Sequence, residues 1–243
     1  MKIDLSDIYL LTWGELTYFE FEVNLGVQSL WKFEQNLTSS LADSLSEFKQ
    51  AIESDETLKA QEPEFEGQYF YQFYGQEEQI LEELRNRQNH ALTLSIYSFF
   101  EGQLRSMCGL IESSFDFKIK LKDLGSQEDL MLYWNYLTKV YEINPGTLEK
   151  FFTPIKQNKV IRNAIAHQGG VLNNNQYKKA DKRKEIGLQF PVVHNGYSIE
   201  FVESRFFQFL LTQMDEFLKE LILCVDKRYI ELTGEEWGKP AES

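Results

Sequence analysis

Cysteine is scarce in this chain of 243 residues: only Cys108 and Cys224 occur, far apart. That excludes a disulfide framework and a thiolate metal site. The three histidines, His90, His167 and His194, are scattered, and neither H-x3-H nor C-x2-C spacing occurs. No metal or cofactor is therefore expected. A Gly-rich phosphate loop, a G-x-S-x-G elbow and a Rossmann fingerprint are all missing. No stretch approaches the roughly 18 uncharged apolar residues of a membrane span. The opening MKIDLSDIYLLTWGEL carries Asp4, Asp7 and Glu15, so it does not read as a signal peptide. The expectation is a cytoplasmic protein with no membrane partner.

Apolar residues are plentiful, at 42% with 14% aromatic, enough for one sizeable core. Positive charge is short overall, for the net charge is −13. That argues against a general nucleic-acid coating protein. The distribution says more than the total. Residues 139–184 hold ten bases and three acids, +7, inside an otherwise acidic chain. A polyanion would bind there if anywhere; the plain alternative is a solvated surface run.

Helical periodicity dominates, so the expected class is all-α. Leu16, Phe19, Val23, Val27, Leu30, Phe33 and Leu37 recur at spacings of three and four, predicting helix over 13–53. A break is expected around Ser54–Gly67. The aromatic patch Tyr69, Phe70, Tyr71, Phe73 and Tyr74 precedes the next helix and suits core or dimer packing better than stacked bases. Helix follows from Glu77 to about Ser114. Gly125–Ser126 punctuate, Leu130–Tyr141 resume, and Asn144-Pro145-Gly146 stop the chain. The next helix runs from about Leu148 to His167, with Pro154 near its start and Gly169-Gly170 closing it. Residues 173–185 read as a polar, basic loop. Asn195-Gly196 between two apolar runs predicts a β-hairpin over 186–202. The last helix spans Glu203 to Leu232, striped by Phe206, Phe209, Leu210, Met214, Phe217, Leu221 and Val225. The whole reads as a single domain: an N-terminal helical arm (1–66), core helices (67–172), basic loop and hairpin (173–202), and the final helix (203–235).

One segment could carry chemistry: VIRNAIAHQGG, residues 160–170, with Arg162 and His167 spaced R-x4-H and Asn163 between them. Cleaving RNA without metal needs a group to take the 2′-hydroxyl proton and another to protonate the leaving 5′-oxygen. It also needs a cation to stabilise the phosphorane. Histidine suits the proton work. Arginine suits the phosphate, and stabilising developing charge often contributes more to the rate than any other effect. The end of a helix also favours positive charge on His167, although a plain capping histidine would look the same. Five residues at about 100° each leave Arg162 and His167 roughly 140° apart around a helix. Either the last turn unwinds or a second copy completes the site. The same spacing recurs at Arg85 and His90, in RNRQNH; that copy is polar, follows several acids and reads as an exposed helical face.

RNAIAH followed by two glycines resembles the signature of the HEPN family, an arginine and a histidine four to six residues apart. ALTLSIYSFFEGQLRSMC (91–108) and EDLMLYWNYLTKVYEI (128–143) are similar to other helices of that group. The resemblance covers residues 77–170. It implies a four- to five-helix bundle, here with the long N-terminal arm and a hairpin before the last helix. It also implies dimerisation with both motifs facing one cleft, and metal-independent RNase activity in toxin–antitoxin or phage-defence systems. On that basis Arg162 would bind the scissile phosphate and His167 would be the acid–base residue. Asn163 would orient one of them, and Glu101 would be a polar residue facing the motif helix. Lys156, Lys159, Lys178, Lys179, Lys182, Arg183 and Lys184 are the candidate RNA-binding residues. The expected partners are RNA, a second copy, and an antitoxin or other protein.

Two alternatives stay open. One is a non-catalytic HEPN-like module that binds RNA or a nucleotide or regulates a partner, which the overall acidity favours. The other is a helical adaptor acting through the apolar and aromatic residues of 16–37 and 69–74.

Overall fold

A computed structural model describes residues 10–125, 130–202 and 204–235. The first nine residues, Ser126 of the expected break, Glu128 and Asp129 of the 128–143 segment, and Glu203 as the expected start of the last helix lie outside them. Within the described residues the expected helical class holds, with a small antiparallel sheet added. No described helix is long and apolar enough to cross a membrane.

Four long helices build the core: α1 (Gly14–Ser54), α4 (Gly75–Ser114), α6 (Gly146–Gln168) and α8 (Arg205–Thr233). The short α5 (Leu130–Lys139) packs on α4. Each long helix has an apolar stripe at helical spacing, and burying each such side chain contributes about 1.5–3 kcal/mol. On α8 the stripe is Phe206, Leu210, Met214, Phe217, Leu221 and Val225, all buried; Phe207 joins them and Phe209 stays half-buried. It packs along α6 and α1. The first half of α1 adds Leu16, Phe19, Val23 and Val27. Its entry is tied to α8 by Asp226, whose carboxylate accepts the N–H groups of Thr12 (3.0 Å) and Trp13 (2.8 Å). Gly26 lets α1 approach α4, because the Phe99 ring occupies the place a Cβ would take.

Further along α1 the stripe departs from expectation. Phe33 is exposed, and the residue turned inward is Glu34, only 4% exposed. Counting apolar residues selects the wrong neighbour; the helical phase after Val27 puts position 34, not 33, against the fold.

The expected break at 54–67 holds one short helix, α2 (Glu56–Lys59), and the start of another, α3 (Pro63–Phe73). Asp55 caps α2 by accepting the Thr57 and Leu58 N–H groups, at 2.7 and 3.0 Å. Pro63 occupies the first turn of α3, where its missing N–H costs nothing. Of the aromatic patch, Tyr71 and Phe73 are exposed, while Tyr74 is half-buried and donates to Asp55 at 2.7 Å.

The basic loop expected over 173–185 is also ordered structure: α7 (Asn174–Ala180) followed by a 3-10 turn (Asp181–Ile186). Asn173 accepts from the Asn175 and Gln176 N–H groups, and the Gln176 side chain accepts from the Asn173 N–H. This reciprocal cap starts a helix with no apolar stripe to announce it. Tyr177 stacks on Tyr197 at 3.9 Å, fixing α7 to the hairpin.

The hairpin forms in two parts. β2 (Leu188–Gln189) pairs with β5 (Glu200–Phe201), and β3 (Val192–Val193) pairs with β4 (Gly196–Ser198) in the same register. Pro191, with no N–H to give, interrupts the ladder. A strand the pattern did not signal, β1 (Val171–Leu172), adds to β4 and completes a sheet ordered β1-β4-β3.

Candidate active site

α6 is held by Leu148, Phe152, Ile155, Ile161, Ala164 and Ile165 in the core. Pro154 lies inside it, so the helix starts earlier than the proline suggests. Helical structure persists through Gln168 to Gly169, whose φ of 60° is the left-handed cap. The last turn therefore does not unwind, and Arg162 and His167 keep their different faces.

Arg162 is partly buried. Its Nη2 pairs with Glu101 Oε2 at 3.3 Å, and its Nη1 donates to Asn163 Oδ1 at 3.1 Å. Side-chain exposures of 26% for Arg162 and 21% for Glu101 place the pair between surface and core, where it is worth about 1 kcal/mol. The Nε of Arg162 is buried and meets no acceptor among the described residues. Glu101 comes from α4, one turn after Tyr97, whose buried hydroxyl donates to the Ile155 carbonyl at 2.7 Å. The structure thus joins Glu101, Arg162 and Asn163.

His167 is exposed at the end of α6, with no hydrogen bond to a described residue. Asn163 lies four positions before it, on the same helical face. Asn163 therefore stands between the guanidinium it binds and the imidazole it neighbours.

Arg183, from the basic segment, is tied to the same helix. Its Nη2 donates to Gln157 Oε1 of α6 at 2.9 Å, and its Nε is buried without an acceptor among the described residues. Burial lowers its pKa. The Tyr97 phenol is pushed up by burial first and by Glu101 next, while Arg162 and Arg183 both pull it down. One tyrosine hydroxyl therefore lies in the field of both guanidinium groups. Asn158, one turn before Arg162 and 1% exposed, has a buried Oδ1 with no donor among the described residues. Sequence reasoning points to neither Tyr97 nor Asn158. For Asn158 the available signal is its i,i+4 spacing to Arg162.

The remaining cations are spread over the surface. Lys156, Lys178, Lys179 and Lys182 are exposed and Lys159 is half-buried. Lys184 is tied to Asp181 at 2.7 Å and to the Tyr177 hydroxyl at 3.2 Å. Its pKa is raised, chiefly by Asp181.

The second R-x4-H copy is not a uniformly exposed face. Arg85 is exposed, but His90 is half-buried, edge-on to Phe201 at 6.2 Å. A Cβ on Gly170, whose φ is 81°, would come within 2.5 Å of His90 Cε1, so only glycine fits under this ring. Periodicity on α4 alone could not reveal a partner from the far end of α6.

Among the described residues no group of three or more His, Cys, Asp or Glu side chains is placed to hold a metal ion. Comparison with protein-family models, curated proteins and solved structures finds no match to this chain.

Proposed function

We propose that this chain is a metal-independent endoribonuclease of the HEPN type, working as a homodimer in the cytoplasm within a toxin–antitoxin or phage-defence system. The observation that carries the reading is one helix, α6. It presents a half-buried guanidinium and, at its exposed end, a histidine with no hydrogen-bond partner among the described residues. Both residues lie within the one strongly basic stretch of an acidic sequence.

The chemistry follows from these parts. The 2′-hydroxyl loses its proton to one imidazole and attacks phosphorus. A second imidazole gives its proton to the departing 5′-oxygen. The products are a 2′,3′-cyclic phosphate and a 5′-hydroxyl. Arg162 stabilises the phosphorane charge, and Asn163 fixes its direction. Because α6 stays helical, one chain offers one imidazole at this end; two copies facing a shared cleft supply both. Arg183 adds a second guanidinium from outside the motif.

The test is cleavage of varied RNAs in EDTA. His167→Ala should lower the rate by roughly 10²–10⁴-fold and Arg162→Ala by roughly 10²–10³-fold, with both variants folded. Intact RNA at high concentrations of folded, dimeric protein would end the enzyme reading.

The Glu101–Arg162 pair favours a second reading, a non-catalytic RNA- or nucleotide-binding regulatory module, because the carboxylate engages the guanidinium that would stabilise the phosphorane and leaves phosphate contacts to the exposed lysines. RNA binding unchanged by His167→Ala, without cleavage, selects it.

A further inference from the structure

Away from α6, a cavity of about 530 Å³ opens between the second half of α1, the start of α4, the hairpin and the first turn of α8. That is within the usual range for small-molecule sites, roughly 300–1,000 Å³. Its charged walls are Glu34, Glu82, Glu200 and Arg85: three carboxylates against one guanidinium. Glu34 is the decisive member. It is 4% exposed, and the only partner it has among the described residues is the Thr38 hydroxyl at 3.3 Å. A buried carboxylate without a countercharge is costly, since buried charges are ordinarily paired. Arg85 does not serve; it forms no ion pair with any of the three. Part of the lining is hydrocarbon: Phe201 stacks on Phe207 at 5.0 Å, and Leu37, Leu41 and Leu92 line the same cavity.

We infer that this cavity is a binding site for an organic cation, an alkyl amine of the diamine or polyamine class. The ammonium takes the buried Glu34 carboxylate, and the methylene chain lies on Phe201 and Phe207. A second ammonium reaches Glu82 or Glu200 at the mouth. A bare metal ion leaves most of the volume and the aromatic wall unused. An anionic nucleotide meets net negative charge. The site does not depend on the nuclease reading, since it shares no residue with Arg162, Asn163, Glu101 or His167.

The test is isothermal titration of the full chain with spermidine and with putrescine at moderate salt, with inorganic phosphate as the anionic control. Saturable one-to-one binding of an amine is expected. It should weaken at least about tenfold, the affinity change produced by 1.4 kcal/mol, in Glu34→Gln and by a smaller factor in Glu200→Gln. Glu78→Gln, an exposed acid outside the cavity, should bind as wild type does. Because Glu34 is buried, its variant is checked by circular dichroism; if it fails to fold, Glu200→Gln together with Phe207→Ala carries the test. Unsaturable binding, equal binding by Glu78→Gln and the cavity variants, or binding of phosphate in place of amines overturns the proposal.

Discussion

A histidine placed over a glycine carries a measurable cost. His90 lies against Gly170 and Phe201, its Nε2 is buried with no partner among the described residues, and burial lowers its pKa below the ordinary 6.5, with Glu83 opposing more weakly. The folded state therefore prefers the neutral ring. Its contribution to stability is complete above about pH 6.5, the unfolded value. It is lost as pH falls toward the lower folded value, because the unfolded chain then binds the proton more readily. Thermal midpoints measured from about pH 7.5 down to about pH 5 should fall more steeply for wild type than for His90→Gln. Parallel curves would mean that the ring is not penalised by its surroundings. At this same scale the sequence is unevenly legible. Arg162, Asn163 and Glu101 stand out in it, and the fold brings them into contact. His90 reads as solvent-facing because its partner Gly170 lies eighty residues later, beyond the reach of local periodicity. Glu34 is hidden because a helical stripe is traced through apolar residues, and the adjacent Phe33 satisfies the count.

Elements are legible in proportion to the apolar area they bury. α4 and α8, with long stripes at helical spacing, lie within a few residues of their expected ends. The short α3 and α7 do not depend on a stripe. Their start signals are chemical: Pro63 in a first turn and the Asn173–Gln176 reciprocal cap. Read as a breaker and as part of a polar run, these residues conceal the helices they initiate. The cap gives α7 its stability in the absence of much buried surface. Asn173→Ala should cost about 1 kcal/mol. The loss should be local: faster amide exchange over residues 174–186, with α6 and α8 protection unchanged, and recovery in Asn173→Asp. A change spread evenly through the protein would show that this segment opens only with the whole fold, and no change at all would show that the hairpin stack of Tyr177 on Tyr197, rather than the cap, holds it. Since Arg183 follows directly, the cap also sets how firmly that guanidinium is offered to α6.

The whole molecule sets the constraint that the motif alone could not. An R-x4-H spacing permits a single-chain site only if the helix end opens, and α6 is closed by Gly169 instead. The nuclease reading then requires two copies sharing a cleft, with both imidazoles needed for each cleavage. This has a quantitative consequence. Mix wild type with His167→Ala, allow subunits to exchange, and vary the wild-type fraction at constant total protein. If both imidazoles act in one cleft, only the dimers containing two wild-type chains cut RNA, and activity follows the square of the wild-type fraction. An equal mixture retains about a quarter of full activity, provided the two chains pair at random. Independent sites, whether within one chain or built from one arginine and one histidine across the interface, give a straight line and about half. Arg162→Ala in place of His167→Ala separates the cation from the proton carriers. If one guanidinium suffices for the phosphorane, mixed dimers stay active and its curve rises above the straight line, an equal mixture retaining about three-quarters of full activity under the same random pairing. If both arginines are needed, the two curves coincide.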